Sequence, residues 1–200
     1  MKKCAVFSCC GLGDGIVIMT LSHNLLINGN SVDTYHNKLG SLSSWFSNLP
    51  IKKYPLIEDI DQIINKYDQL FISYDASSEF VMTLIDKGKK IFPEKIFVLN
   101  PCPSKKIGGQ PYYKDALFTP KLSFVDNLCD FCKDILHLPK IQKENGIVNP
   151  YDLINRKYRK KIAIHPTSGK EGKKWPIESY VKLALHLKEK GHDPIFVMSN

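Results

Sequence analysis

The stretch Gly11-Leu12-Gly13-Asp14-Gly15 separates two apolar runs near the N-terminus, and it constrains the fold more than any other feature. The residues before it, 3–9 (KCAVFSC), predict a buried strand, and residues 14–26 predict a helix that is apolar nearly all round. The Asn-Gly-Asn at 28–30 ends that helix, and residues 31–36 (SVDTYH) predict a second strand. A strand, a tight turn, a helix and a strand open a doubly wound parallel sheet.

The alternation of strands and helices continues along the chain. Helices are predicted at 57–65, 77–86 and 123–137, strands at 69–74 and 95–100, and a basic loop at 101–113. The pattern then lapses around Gly146 and Pro150, and it restarts with a strand at 160–165, a helix at 176–190 and a strand at 194–199. We therefore expect an N-terminal Rossmann-like domain at 1–138, an interdomain linker at 139–159, and an incomplete second Rossmann-like domain at 160–200.

Composition narrows the class of partner. The net charge of +8 favours an anionic partner, but the lysines come in scattered pairs rather than a stripe, so we expect no nucleic acid. Six cysteines without framework spacing favour a reducing cytosol, and the apolar run at the start is too short for export. Cys129 and Cys132 form one CxxC without a second pair, so no metal site is predicted. A cytoplasmic protein is expected.

The glycine turn has three interpretations. A dinucleotide site gains support from Asp33, which lies about 20 residues downstream. However, GLGDG lacks the third glycine of GxGxxG, and Asp14 would repel a pyrophosphate at the helix N-terminus. Asp14 could instead cap the helix. It could also act as a general base, with Gly13 and Gly15 leaving room for a substrate hydroxyl at the carboxyl edge of the sheet.

The loop His165-Pro-Thr-Ser-Gly-Lys-Glu-Gly-Lys-Lys-Trp-Pro holds the equivalent position in the second domain. It does not fit the GxxxxGK[ST] pattern of a P-loop. Its hydroxyls, glycines and lysines suit a diphosphate leaving group, while a solvated basic turn is the alternative.

The pairing of GLGDGIVIMTLSHNLL with IAIHPTSGKEGKKWPIESYVKLALHL resembles glycosyltransferase family 9, the ADP-heptose:lipopolysaccharide heptosyltransferases and their relatives. The resemblance implies the GT-B fold, with Asp14 as the catalytic base. It implies that Thr167, Ser168 and Lys173 bind the donor diphosphate. Further contacts are expected from the neighbouring positions Gly13, Gly15, His165, Gly169 and Lys170. No metal or cofactor is expected.

By this resemblance we expect inverting transfer of a sugar from a nucleotide-diphosphate donor such as ADP-heptose to a lipopolysaccharide core in a bacterium. The acceptor would be an anionic glycolipid at the cytoplasmic face of the inner membrane, where peripheral contact is expected. Family members continue beyond the length of this chain. An inactive or split fragment that binds only acidic glycolipid therefore remains an alternative, as does a nucleotide-binding oxidoreductase.

Overall fold

A computed structural model describes residues 1–9, 11–99, 118–119, 121–150, 159–168 and 171–198. The chain divides into two compact units, Met1–Pro150 and Tyr151–Asn200. The boundary between them falls within the predicted linker. The predicted basic loop at 101–113 lies outside the described residues.

The first unit is built on a parallel five-stranded sheet. Its strands are β1 (Lys3–Phe7), β2 (Ser31–Tyr35), β3 (Ile51–Lys52), β4 (Gln69–Ser73) and β5 (Ile96–Leu99), in the spatial order β3-β2-β1-β4-β5. Strands β1, β2 and β4 end one or two residues before their predicted ends at residues 9, 36 and 74. Strand β3 was not predicted, because two residues at a sheet edge leave no periodicity to detect.

Helices cover both faces of this sheet, as a buried parallel sheet requires. They are α1 (Leu12–Ile27), α2 (Ile60–Lys66), α3 (Glu79–Ile91) and α4 (Phe124–Asp130), which continues as a π-helical turn over Phe131–Ile135. One core joins alternate strand residues such as Val6 and Phe71 to α1 and α4. The opposite core joins Phe7 and Ile72 to α2 and α3. Short 3₁₀ turns cover Leu39–Trp45, Ile57–Asp59 and Pro93–Lys95.

The beginning of the predicted linker packs on α1. Asn24 accepts a hydrogen bond from the Gln142 backbone N–H at 2.8 Å and donates its amide to the Gln142 carbonyl at 2.8 Å. Asn28 makes the same reciprocal pair with the backbone of Lys140, at 3.1 and 2.7 Å. The side chains of Asn24 in α1 and Asn28 at its end therefore hold this segment by hydrogen bonds to its backbone.

The second unit contains β6 (Lys161–Ile164), α5 (Ile177–Glu189) and β7 (Asp193–Phe196). The two strands pair in parallel, with Ile164 opposite Phe196, so the unit is a βαβ crossover. Helix α5 begins directly after its N-cap residue Pro176, which has no backbone N–H of its own to satisfy. Across the described ranges of both units, no helix is both long and apolar enough to cross a bilayer.

Candidate functional site

The strand order of the first unit reverses direction between β1 and β4. Strands β2 and β3 lie on one side of β1, and β4 and β5 lie on the other. In open α/β sheets, ligands bind outside the carboxyl ends of the strands at such a switch point. The chain leaves β1 into the glycine turn and leaves β4 into Asp75, so these two connections form the edge of the sheet where a ligand is expected.

Asp14 lies in the first turn of α1 and its side chain is exposed. Gly11 is the N-cap residue of the helix, so Asp14 is not the cap that one interpretation of the sequence required. A carboxylate in the first turn still interacts favourably with the backbone N–H groups at the helix N-terminus. The exposed carboxylate of Asp14 therefore lies at the switch point and does not serve as the N-cap of α1.

The Cys9 thiol contacts this carboxylate, and a second carboxylate, Asp75, acts on the same thiol. Burial, then the charge of Asp14 and its hydrogen bond with the thiol, and then the charge of Asp75 raise the pKa of Cys9 to about 12. The Cys9 thiol is therefore protonated at neutral pH. Asp75 accepts hydrogen bonds from the backbone N–H and the hydroxyl of Ser77, at 3.0 and 2.6 Å. This edge of the sheet thus combines two carboxylates and a neutral thiol.

The glycines of the turn have different steric roles. A Cβ on Gly11 would lie 2.3 Å from Oδ2 of Asp14, so only glycine lets the carboxylate fold back over the N-cap. A Cβ on Gly15 would lie 2.7 Å from the ring of His36. Among the described residues, none has an atom within 4 Å of a Cβ placed on Gly13. The open space beside Asp14 is therefore on the side of Gly13, whereas Gly15 faces a buried ring.

His36 contacts this turn, and the sequence did not identify it as a site residue. It follows the last residue of β2 and is 1% exposed. Its Nε2 lies 3.1 Å from the carbonyl oxygen of Gly11. The pairing of Phe7 with Tyr35 puts His36 level with Ser8, at the start of the connection that leads into the glycine turn. The register between β1 and β2 would have identified His36, but the amino-acid pattern does not contain that register.

Asp33, the residue that favoured a dinucleotide, lies in the middle of β2 rather than at its end. Its Oδ2 accepts hydrogen bonds from Lys52 at 2.6 Å and from the Tyr67 hydroxyl at 2.5 Å. Burial raises the pKa of Asp33, but the hydrogen bonds from Lys52 and Tyr67 and the charge of Lys52 outweigh it and lower the pKa. The carboxylate of Asp33 thus links β2 to Lys52 of β3 and to Tyr67, which follows α2.

The second predicted site lies in the other unit. His165 follows β6 and is exposed, and its Nε2 lies 3.2 Å from the hydroxyl of Thr167. Thr167 and Ser168 are half-buried, and Lys173 is exposed in a 3₁₀ turn before α5. Gly169 and Lys170 lie outside the described residues. The loop therefore brings hydroxyls and a cation between a strand and a helix, as an anion site requires.

A cavity of about 710 Å³ lies between α1 and residues 142–148. It is lined by apolar side chains of the helix, including Ile16 and Val17, and by the first part of the predicted linker. None of the predicted site residues lines it. The cavity lies where residues 142–148 pack on α1 by hydrogen bonds to their backbone. We assign the cavity no part in the chemistry at the glycine turn.

Residues 134–200 match the model of glycosyltransferase family 9 (heptosyltransferase). This range contains the strand β6, the following loop and all of α5. A comparison with curated protein sequences gave no match.

Solved structures resemble the whole chain. E. coli heptosyltransferase WaaC with ADP-2-deoxy-2-fluoro heptose is 10% identical, with a TM-score of 0.64 over 99% of this chain and 69% of that one. WaaC with ADP is 12% identical, with a TM-score of 0.65 over 97% of this chain and 67% of that one. E. coli ADP-heptose lps heptosyltransferase II is 15% identical, with a TM-score of 0.62 over 97% of this chain and 63% of that one.

The chain thus spans about two thirds of the length of these enzymes. The predicted resemblance to glycosyltransferase family 9 is confirmed by the family model, and the predicted α/β fold of GT-B type is confirmed by the structural matches. The family model matches a third of the chain, and the solved structures, which are 10–15% identical, show its fold. The roles of individual residues stay predictions.

Proposed function

We propose that this chain, whose C-terminal third matches glycosyltransferase family 9, transfers a sugar from a nucleotide-diphosphate donor to a lipopolysaccharide core. The single observation that carries the proposal is the exposed carboxylate of Asp14 at the switch point of the sheet. Pyrophosphate recognition at this turn would require a neutral glycine-rich surface. An exposed carboxylate beside open space at Gly13 suits removal of a proton from a hydroxyl instead.

In the proposed reaction Asp14 takes the proton of an acceptor hydroxyl. The hydroxyl oxygen attacks the anomeric carbon of the donor from the side opposite the diphosphate. A new glycosidic C–O bond forms while the bond to the diphosphate oxygen breaks, so the anomeric centre inverts. Positioned general bases contribute about 10²- to 10⁴-fold to such steps.

The leaving nucleoside diphosphate gains negative charge as its bond to the sugar breaks. We assign its stabilisation to the hydroxyls of Thr167 and Ser168 and the ammonium group of Lys173, donors that suit a phosphate oxygen. His165, Gly169 and Lys170 are proposed as further contacts from the same loop. The donor is a substrate, and no metal or cofactor is part of the proposal.

The proposed acceptor is an anionic glycolipid. The net charge of +8 favours an acidic surface, and one similar structure is named for lps heptosyltransferase activity. A lipopolysaccharide core is assembled on a lipid, so we propose peripheral contact with the cytoplasmic face of the inner membrane. The proposed donor is ADP-heptose, after the ligands named for the similar enzymes.

The test measures release of ADP from ADP-heptose in the presence of a core lipopolysaccharide that lacks heptose. Asp14→Asn is expected to lower the rate by about 10²-fold or more while the protein still folds. The matched control is Asp86→Asn, which removes an exposed carboxylate from α3. A rate for Asp14→Asn equal to that of the control contradicts the assignment of the base.

Titration calorimetry with ADP-heptose separates catalysis from donor binding. Binding to the wild-type chain with heat above that of dilution is the expected result. Absence of such binding, together with retained binding to vesicles that contain acidic glycolipid, would favour the glycolipid-binding fragment. Tight binding of NAD would contradict the interpretation of the glycine turn.

A further inference from the structure

The hydrogen bonds of His36 define the tautomer of its ring. Nδ1 lies 3.0 Å from the backbone nitrogen of Lys38 and 2.9 Å from that of Leu39. Both of these groups are N–H donors, so Nδ1 must present its lone pair and carries no proton. The proton of the neutral ring is therefore on Nε2, which donates to the carbonyl oxygen of Gly11 at 3.1 Å.

The carbonyl of Gly11 thus receives two hydrogen bonds. One comes from the backbone N–H of Gly15 at 2.9 Å and is the first hydrogen bond of α1. The other comes from Nε2 of His36. The ring also packs against the α-carbon of Gly15, where a Cβ would lie 2.7 Å from the ring. His36 therefore contacts both ends of the turn that contains Asp14.

The backbone of His36 is fixed by the sheet. Its N–H donates to the carbonyl oxygen of Lys52 in β3 at 2.8 Å, and the residue before it ends β2. The side chain is 1% exposed, so solvent does not compete for its hydrogen bonds. Because its backbone and its tautomer are both fixed, the buried ring holds the glycine turn in a fixed position relative to the sheet.

We infer that His36 is the positioning residue of the proposed base: its Nε2–H holds the Gly11 carbonyl and so fixes where Asp14 presents its carboxylate. This inference rests on the proposed function only for the consequence to catalysis. The tautomer and the anchoring of the turn are separate and measurable claims. Positioning matters because a misplacement of about 1 Å costs up to about 10²-fold in rate.

A purely structural role is the competing account, in which His36 matters because Nδ1 anchors the backbone of Lys38 and Leu39. Two amide substitutions separate the roles. In His36→Asn the side-chain oxygen can take the place of Nδ1 as acceptor, but no group reaches Gly11. In His36→Gln the amide nitrogen can take the place of Nε2 as donor, but the acceptor for residues 38 and 39 is lost.

The inference predicts opposite effects of these variants on activity and stability. His36→Asn should keep most of the stability but lower kcat by about tenfold or more, with little change in KM for the acceptor. His36→Gln should be the less stable variant and should keep kcat within about threefold of wild type. Equal losses of kcat in both variants, or a larger loss in His36→Gln, would overturn the positioning role.

A readout without activity distinguishes failure of this inference from failure of the proposed function. Nitrogen-15 NMR of the wild-type ring should show the Nε2–H tautomer, and amide exchange at Gly15 should be faster in His36→Asn than in His36→Gln. Finding the Nδ1–H tautomer, or equal exchange in the two variants, contradicts the inference. Absence of transfer by a wild-type chain that passes both NMR tests contradicts only the proposed function.

Discussion

The turn after β1 and the turn after β6 occupy equivalent places in two βα units, yet different contacts support them. The first turn is joined to the sheet by the buried ring of His36, and the Cβ position of Gly15 is filled by that ring. In the second turn, no atom of the part of the chain that the structure describes lies within 4 Å of the Cβ position of Gly172, and Lys173 is exposed. A base must be held in place before substrate arrives, whereas exposed donors can adjust to a flexible diphosphate.

The largest difference between the turns should appear when each glycine gains a methyl group. Gly15→Ala drives a Cβ into the His36 ring and should lower the free energy of unfolding by about 1–3 kcal/mol. Gly172→Ala is the matched control and should leave it within about 0.5 kcal/mol. Urea unfolding followed by circular dichroism measures both. Equal effects would mean that the first turn is no more tightly packed than the second.

The sheet beneath the first turn should also be sensitive to acid. The pKa of Asp33 is lowered in the folded protein by Lys52 and Tyr67, which outweigh its burial. Its contribution is therefore present above the unfolded pKa of about 3.9 and is lost as the pH falls through the folded pKa. At pH 7, Asp33→Asn should cost about 1–2 kcal/mol, and the gap from wild type should narrow below about pH 4.

The control for this comparison is Asp61→Asn. Asp61 pairs with Lys87 at 3.1 Å, but its side chain is 62% exposed, so its removal should change little. Both variants are unfolded in urea at pH 7, 4 and 3. A gap between wild type and Asp33→Asn that stays constant over this range would contradict the role of the ionised carboxylate.

The second turn should respond in binding rather than in stability. Lys173→Ala removes an exposed cation from the proposed diphosphate site and should weaken ADP binding by about tenfold. The thermal midpoint should stay unchanged. Lys182→Ala removes an exposed cation from α5 and should leave ADP binding intact. Calorimetric titration with ADP measures both, and equal affinities would remove Lys173 from the site.

The contrast between the turns also explains what the sequence could predict. The apolar runs of β1, β4 and β5 and the long α1 are local patterns, so the sheet and its helices follow from periodicity. The exposed second loop is recognisable from its residue types alone. His36 was not, because its role depends on the register between β1 and β2, and one histidine after a strand carries no local signal.

The predicted linker illustrates the same limit. Residues 139–159 have no clear period and predicted an interdomain linker, whereas the backbone of Lys140 and Gln142 pairs with the side chains of Asn28 and Asn24. The residues that could have indicated this packing lie at the end of α1 rather than in the linker. Asn24 lies buried in the last part of α1 and Asn28 is the residue that ends the helix, and a buried amide such as that of Asn24 needs partners. Their partners lie more than 100 residues away, beyond the reach of periodicity.

The smallest expected effect is chemical and tests the neighbourhood of the proposed base directly. Burial, followed by the charge and hydrogen bond of Asp14, raises the pKa of the Cys9 thiol to about 12. Because the thiolate is the reactive form, alkylation of Cys9 at pH 8 should be slow. Asp14→Asn removes the negative charge, lowers the pKa of the Cys9 thiol and should accelerate its alkylation by about two- to tenfold, since burial still dominates.

Site-resolved mass spectrometry measures the rate of alkylation. Buried Cys4, whose pKa is raised to about 11, serves as the internal control. Acceleration at both cysteines would indicate loosening of the sheet, whereas acceleration confined to Cys9 would show that the Asp14 carboxylate lies against the thiol in solution.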